Sequence, residues 1–565
     1  MNTYDYIIAG AGTAGCTLAA RLSEDPAVRV LLLEAGGPDD RHPLVRIPLG
    51  VGKLYEHEMF DWGLSSEPEP KLHGRTLEAM RGKLLGGSSS INMMTHTRGA
   101  RGDYDRWARN GATGWSFEEV LPYFRRLEDW EGGDSQYRAA GGPVQVRRGR
   151  FRDPLNEAWK AAGKLHGFET NTDYNGETNE GFGLGQYFIH EGQRVSAARA
   201  YLRPAMQRPN LTVATHAHAV RVLFEGTRAI GIEYVRDGAT LQARADAEVI
   251  LSAGSFNTPQ VLMLSGIGPA AELTAHGIRT LAELPVGTNL QDHLAVMIRW
   301  ERNDHGPFRA QMRFDRMAVN MLRAWAFGTG PATMLPSDLF AFVRTRGGID
   351  VPNIEFMFRC AVLDPYMWFP GIRPGYTDGY GIRPTLLHPR SRGSVRLRSS
   401  DPRDRVRISF NAFDDPQDLA DLYEGYECAR EVGYSAPMAA FRGRQLAPDP
   451  AQDSRAAIED WIRRTVITAH HPAGTCAMGS DARSVVDPEL RVRGVERLRV
   501  VDASVIPDMP SAHINAVVFM IAEKAADLIR ARGAWDPCGQ TRGRKPPAES
   551  PGGASGPCAE AACRG

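Results

Sequence analysis

Four residues near the start of the chain have the types and spacing to hold a phosphorylated ligand: Gly10, Gly12, Gly15 and Glu34. They lie in YDYIIAGAGTAGCTLAARLSEDPAVRVLLLEAG, residues 4–36. A short apolar run ends on Gly10, a helical pattern with Leu18, Ala19 and Leu22 on one face follows, and a second apolar run, 28–33, ends on the acid. Strand, glycine turn, helix, strand, acid is the order of a dinucleotide-binding βαβ unit. Gly10 permits the tight turn and Gly12 lets the backbone approach a pyrophosphate seated on the helix N-terminus. Gly15 lets the helix pack closely on the strand, and Glu34 can accept hydrogen bonds from a ribose. A second candidate is the loop RGKLLGGSSSIN, residues 81–92. Its glycine pair and three serines offer exposed amides and hydroxyls suited to phosphate or a flat heterocycle. His216 and His218 are expected on one face of a strand, but without a carboxylate or cysteine partner they make no metal site, and none is expected elsewhere.

The elements that must position these residues can be read in outline. Residues 38–80 are rich in Pro, His and aromatics with little periodicity, as befits a lid or cofactor cover. Helices are expected over 115–130, with Pro122 near its first turns, and over 154–167, with strands and a hairpin over 210–232. An apolar strand from Ala247 runs into Ala253–Gly254–Ser255, then a helix capped near Asn257. Helical patterns fill 301–345, an aromatic-rich strand spans 353–369, a polar hairpin 392–411, and helices 414–433 and 453–465. Residues 531–565 carry no periodic apolar positions and are expected to be disordered.

Bulk properties narrow the function. Lys+Arg and Asp+Glu both number 67, which argues against a nucleic-acid or anionic-membrane partner. No apolar stretch reaches the ~20 residues needed to span a bilayer. The seven cysteines show no zinc spacing and no disulfide framework. With the first strand starting at once, a reduced, cytoplasmic enzyme is the expectation.

Three blocks taken together resemble the glucose–methanol–choline (GMC) oxidoreductases, closest to their choline-dehydrogenase-like branch. The blocks are RGKLLGGSSSIN (81–92), GSFNTPQVLMLSGIG (254–268), and the C-terminal series HPAGTCAMG (471–479), VDAS (501–504) and MIAEK (520–524). The resemblance runs from about Tyr4 to Arg530. It implies an α/β (α+β overall) fold in which a Rossmann-type FAD-binding domain (1–155, 195–300 and 465–530) is interleaved with a substrate domain (156–194 and 301–464) of mostly antiparallel sheet flanked by helices. It also implies FAD, held by Gly10, Gly12, Thr13, Ala14, Gly15, Glu34, Ala35, Arg81, Gly86, Gly87, Ser88, Asn92, Val220, Ala253, Gly254, Asp502, Ala503 and Asn515. Some relatives attach FAD covalently to a histidine where this chain has Ile91, so non-covalent FAD is expected here.

The activity implied is oxidation of an alcohol to an aldehyde or ketone. A hydride and a hydroxyl proton leave the carbinol, and since the flavin takes the former the protein must take the latter. By position His471 and His513 hold one hydroxyl between them, His471 as the base and His513 as a donor or second acceptor. His470, Ala477 and Val517–Val518 depart from the common family pattern, so the substrate is not inherited. Phe356, Phe358, Trp368 and His470 are expected to line the substrate pocket, which suggests an apolar or aromatic primary alcohol, with oxygen or another acceptor taking the electrons. Asp338 falls near a carboxylate that faces the ammonium in choline-type relatives. A choline-like cationic substrate, and a lyase such as the cyanohydrin-splitting members of the family, are the alternatives; a homodimer is left open.

Overall fold

The strand–turn–helix–strand order of the first residues is realised in the computed structural model, which describes residues 2–533. Strand Asn2–Ala9 turns at Gly10 into helix Thr13–Leu22, and strand Val30–Leu33 follows. Strands Leu211–Ala214, Val30–Leu33, Asn2–Ala9 and Ala239–Leu251 lie side by side in parallel, and Leu498–Val500 joins the last of them, also in parallel. The hairpin Ala217–Glu225/Arg228–Arg236 completes this seven-stranded sheet as an antiparallel edge. Ile7, Ile8, Val30, Leu32, Val249 and Ile250 are buried, the continuous apolar run expected of parallel strands covered on both faces.

Register decides where a ligand can sit. Ala9 pairs with Leu33 and Leu251, Leu33 with Ala214, and Leu251 with Val500, so these five strands end in one row. Ligands of such sheets bind beyond the C-terminal strand ends. The residues just past them include Gly10, Glu34, Ser252 and Asp502.

The second sheet has nine strands and is mainly antiparallel. At its centre are Leu339–Val343, Ile354–Arg359 and Gly379–Leu386. Its two faces pack differently. Leu339, Ala341, Ile354, Phe356 and Phe358 join the core beneath helices Pro154–Leu165 and Pro416–Tyr434, while Phe340, Phe342 and Met357 join the core shared with the first sheet. Strand Ile298–Arg302 belongs to this second sheet, so the expected domain boundary at 300 cuts through it.

Several local expectations need correction. The helix expected over 115–130 is Phe117–Leu127, closed by a capping box of Ser116 and Glu119; Pro122 is its sixth residue, in mid-helix. The helix after Leu251 starts at Gly254 rather than near Asn257. The aromatic strand stops at Arg359, and 360–369 is irregular. The C-terminal helix runs through Gly533, past the expected boundary at 531, and the rest of the expected tail lies outside the described residues.

Candidate active site

A single elongated cleft runs from the strand ends of the first sheet to the inner face of the second. It encloses about 1740 Å³ of space, its open mouth included. At one end lie Gly10, Gly12, Thr13, Ala14, Glu34, Ala35 and Ala217–Ala219; at the other lie Tyr55, Met93, Met357, Arg383, His470, His471 and His513. Between them are Gly87, Ser88, Asn92, Ser252–Asn257, Asp502, Ala503 and Asn515.

The first end is made mostly of backbone. A Cβ at Gly15 would lie 1.9 Å from the Gly10 carbonyl oxygen, so this glycine is needed for helix–strand contact and does not itself line the cleft. A Cβ at Gly12 would meet nothing closer than 4.0 Å, so that position faces open space at the N-terminus of helix Thr13–Leu22. Glu34 accepts from the Ala11 and Gly36 amides at 2.9 and 2.8 Å, leaving further lone pairs for a ribose. Burial pushes its carboxyl up to about 7 despite these amides. Asp502 is buried and accepts from the Gly254 amide at 2.9 Å and from Thr258 Oγ1 at 2.6 Å, tying the last parallel strand to the helix beyond Leu251. Asn515 accepts from Thr13 Oγ1 at 2.7 Å through its own oxygen, while its buried Nδ2 has no protein partner. Ser252 Oγ is likewise buried and unpartnered. Open space at a helix N-terminus, a ribose-type carboxylate and two orphaned polar groups along one cleft fit an extended dinucleotide.

The second end is made of side chains. The rings of His471 and His513 lie 4.8 Å apart. His471 follows a left-handed residue, His470 (φ 62°), and its backbone N–H donates to Asp292 Oδ1 at 2.8 Å. Its Nδ1 lies 3.0 Å from His293 Nδ1, so Nε2 is the nitrogen left for a substrate. His513 Nε2 lies 2.8 Å from Glu355 Oε1, which leaves its Nδ1. Burial would raise the Glu355 carboxyl, but His513, through charge and hydrogen bond, holds it below the ordinary value. An ionised carboxylate so placed accepts the Nε2–H and fixes the ring. Burial pushes His471 well below 6.5, and His513, His293, Arg383 and Arg81 add to the effect, so His471 is neutral with a lone pair available. His470 falls to about 3 through burial and the same two arginines. Burial lifts Asp292 to about 7.

Not every expected residue reaches the cleft. Phe356 and Phe358 point the other way, into the helix-covered core, and Trp368 donates its indole N–H to the Arg309 carbonyl outside the cleft. Side chains alternate along a strand, and it is Met357 that lines the cleft and Glu355 that reaches His513. Gly86 supports the loop by donating a hydrogen bond from its backbone N–H to the Ala11 carbonyl. Val220 is not a lining residue, but the hairpin register shifts between Ala219 and Arg221, stepping past it. His216 (φ 55°) lies in the turn before the hairpin, so it shares no strand face with His218, which lines the cleft beside Ala217 and Ala219. No group of three or more His, Cys, Asp or Glu among the described residues is arranged to hold a metal ion. Asp338 is buried outside the cleft, where its carboxylate lies against Gly149.

Sequence reasoning passed over His293, Asp292, Glu355 and Arg383. Glu355 carried a legible signal, a lone acid inside an apolar strand, which needs a partner when buried. His293 carried none, because its partner is 178 residues away in sequence.

Comparison with known proteins shows the family. The N-terminal GMC oxidoreductase family model matches residues 4–295 and the C-terminal model residues 389–522. The chain belongs to the GMC oxidoreductase family. It is 41% identical over 532 residues to the oxygen-dependent choline dehydrogenase of Brucella ovis, covering 94% of this chain and 96% of that one. It is 41% identical over 546 residues to the human mitochondrial choline dehydrogenase, covering 95% and 91%. Among solved structures, pyridoxine 4-oxidase from Mesorbium loti superposes with a TM-score of 0.83 at 32% identity, covering 94% of this chain and 99% of that one. The family is FAD-dependent, and the cleft has the length and chemistry to take FAD. No helix among the described residues is long and apolar enough to cross a membrane.

Proposed function

We propose that this FAD-dependent alcohol oxidoreductase removes the substrate's hydroxyl proton with His471 and holds the same oxygen with His513. The observation that carries this reading is the pair of imidazoles 4.8 Å apart at the end of the cleft, each with one nitrogen engaged from behind. When bound, FAD supplies the hydride acceptor. His471 is the base because its surroundings keep it neutral. For Nε2 to accept a proton, Nδ1 must carry the other and donate it to His293. To hold the substrate oxygen while His471 takes its proton, His513 must carry a proton on Nδ1 as well and donate it there. The ionised Glu355 at Nε2 offsets the charge of that doubly protonated ring while fixing it to align the carbinol. Tyr55, Met93 and Met357 wall this end and limit water.

Non-covalent FAD is part of the proposal. Ile91 lines the cleft where some relatives carry a linking histidine, and its side chain can form no bond to the ring. Acid precipitation should release unmodified FAD into the supernatant; flavin retained in the pellet would sink this part. The chemistry itself is tested by adding alcohols to the holoenzyme without oxygen. Bleaching of the flavin absorbance is expected, and a spectrum unchanged by every alcohol of a broad panel would favour a lyase.

A further inference from the structure

The charge around the two histidines is lopsided. The cleft is lined by two carboxylates, Glu34 at the end away from the histidines and Asp502 between the two ends. At the histidine end the charged lining residues are Arg81 and Arg383. Arg81 is engaged: its guanidinium donates to the His470 carbonyl at 2.7 Å and to the Met80 carbonyl. Arg383 is different. It stands on strand Gly379–Leu386 directly opposite Met357, on the sheet face that looks into the cleft. Its Nε is buried without a partner, and the guanidinium makes no hydrogen bond and no ion pair among the described residues.

A half-buried guanidinium with five donors and no acceptor is costly unless something completes it. The nearby acid cannot do so: Glu355 is already bonded to His513, and it shares with Arg383 only a longer-range attraction. Asp338, the sequence candidate for an ammonium partner, lies outside the cleft. A quaternary ammonium placed beside His471 would therefore meet two guanidiniums and no free carboxylate.

We infer that Arg383 is the anchor for an anionic group, so that the alcohol oxidised here carries a carboxylate. The inference rests on the reading of His471 and His513 as the oxidation site and supplies that site's substrate class. A planar carboxylate matches the guanidinium fork bidentately and replaces the missing partners. With one end of the substrate fixed on Arg383 and the hydroxyl between the histidines, the carbinol is held for reaction at both ends.

The test uses the holoenzyme and three alcohols: 4-(hydroxymethyl)benzoate, its neutral counterpart 4-methylbenzyl alcohol, and choline. The carboxylate should be favoured in kcat/KM by about ten- to a hundredfold over the neutral alcohol, and more over choline. Arg383→Met should abolish this preference and Arg383→Lys should keep part of it. Benzoate, which cannot be oxidised, should compete with substrate and raise the Tm of the unaltered holoenzyme where benzamide does not. That arm decides the matter even if Arg383→Met loses flavin. Equal or better use of the neutral alcohol or choline, with no competition by benzoate, overturns the inference while leaving alcohol oxidation standing. If none of the three alcohols, nor any of the broader panel, reduces the flavin, the failure belongs to the oxidation reading instead.

Discussion

The two ends of the cleft solve the same problem, holding a reactive group in place, with different materials. At the end near Glu34 the walls are backbone: a glycine turn, a helix N-terminus and the aligned ends of five parallel strands. At the histidine end they are side chains drawn from distant segments, Arg383, His471 and His513, with His293 and Glu355 bonded behind the two histidines. Backbone recognition needs few residue types but fixed spacing, because only glycine lets chain and phosphate come close. Side-chain chemistry needs particular functional groups at particular points and accepts them from any element that passes. The first end should therefore fail all at once when a single Cβ is added, and the second should fail in steps.

The largest effect is expected from Gly12→Val. The added side chain enters open space, so the protein should fold, yet that space is where the pyrophosphate must lie. Purified Gly12→Val should show a native circular dichroism spectrum and essentially no bound flavin. Gly15→Ala is the contrasting variant, since its Cβ would collide with the Gly10 carbonyl whether or not flavin is present. It should lower the Tm of the flavin-free protein. If Gly12→Val keeps its flavin, the backbone account of this end is wrong.

Next in size is His471→Ala. A positioned general base contributes about 10²–10⁴-fold, so flavin reduction in anaerobic stopped flow should slow by that order with FAD still bound. His513→Ala should cost less, since it removes an aligning partner. The double variant should be scarcely worse than His471→Ala, because groups acting as a unit are not additive. If His513→Ala is the slower single variant, the roles are reversed.

This contrast also explains what could be read from the sequence. Gly10, Gly12, Gly15 and Glu34 fall within one stretch of 25 residues, 10–34, so spacing alone located the first end. His471 lies in a block resembling a known family and His513 between two such blocks, and only that resemblance pointed to them. The substrate wall was misread by one step of alternation: Phe356 and Phe358 do share a face, but it is the face covered by helix Pro416–Tyr434. Nothing local distinguishes the two faces of a strand buried on both sides, and only the packing of helices from 154–165 and 416–434 settles which one meets the cleft. His293 and Arg383 were illegible for the same reason: their meaning depends on partners brought together by the fold.

A smaller effect is expected behind His513. Glu355→Gln keeps the shape of the side chain and removes its charge, weakening the hydrogen bond that orients the ring. Carboxylates that orient metal-bound histidines are worth about ten- to a hundredfold in activity, and the same order is expected for this orienting contact. Reduction should slow by that amount, with Glu355→Asp intermediate. An effect as large as that of His471→Ala would mean that Glu355 takes part in proton removal itself.

The smallest effect is a pH dependence that should be nearly missing. An ordinary histidine base is protonated below about 6.5, and a rate depending on it falls as pH drops through that value. His471 is held well below 6.5 by burial and by the positive charge gathered around it. Its neutral form therefore persists as pH falls, and the acid limb of the reduction rate should lie below the ordinary histidine value. The rate of flavin reduction with a neutral alcohol, whose own charge does not change, should stay within about threefold between pH 8 and 6. Arg383→Met removes one of the charges that depress His471, so its acid limb should move upward, toward neutrality. A limb already centred at or above 6.5 in the unaltered enzyme would show that the base is not His471 as it sits here. The histidine end would then have to be rebuilt around His513 and Glu355.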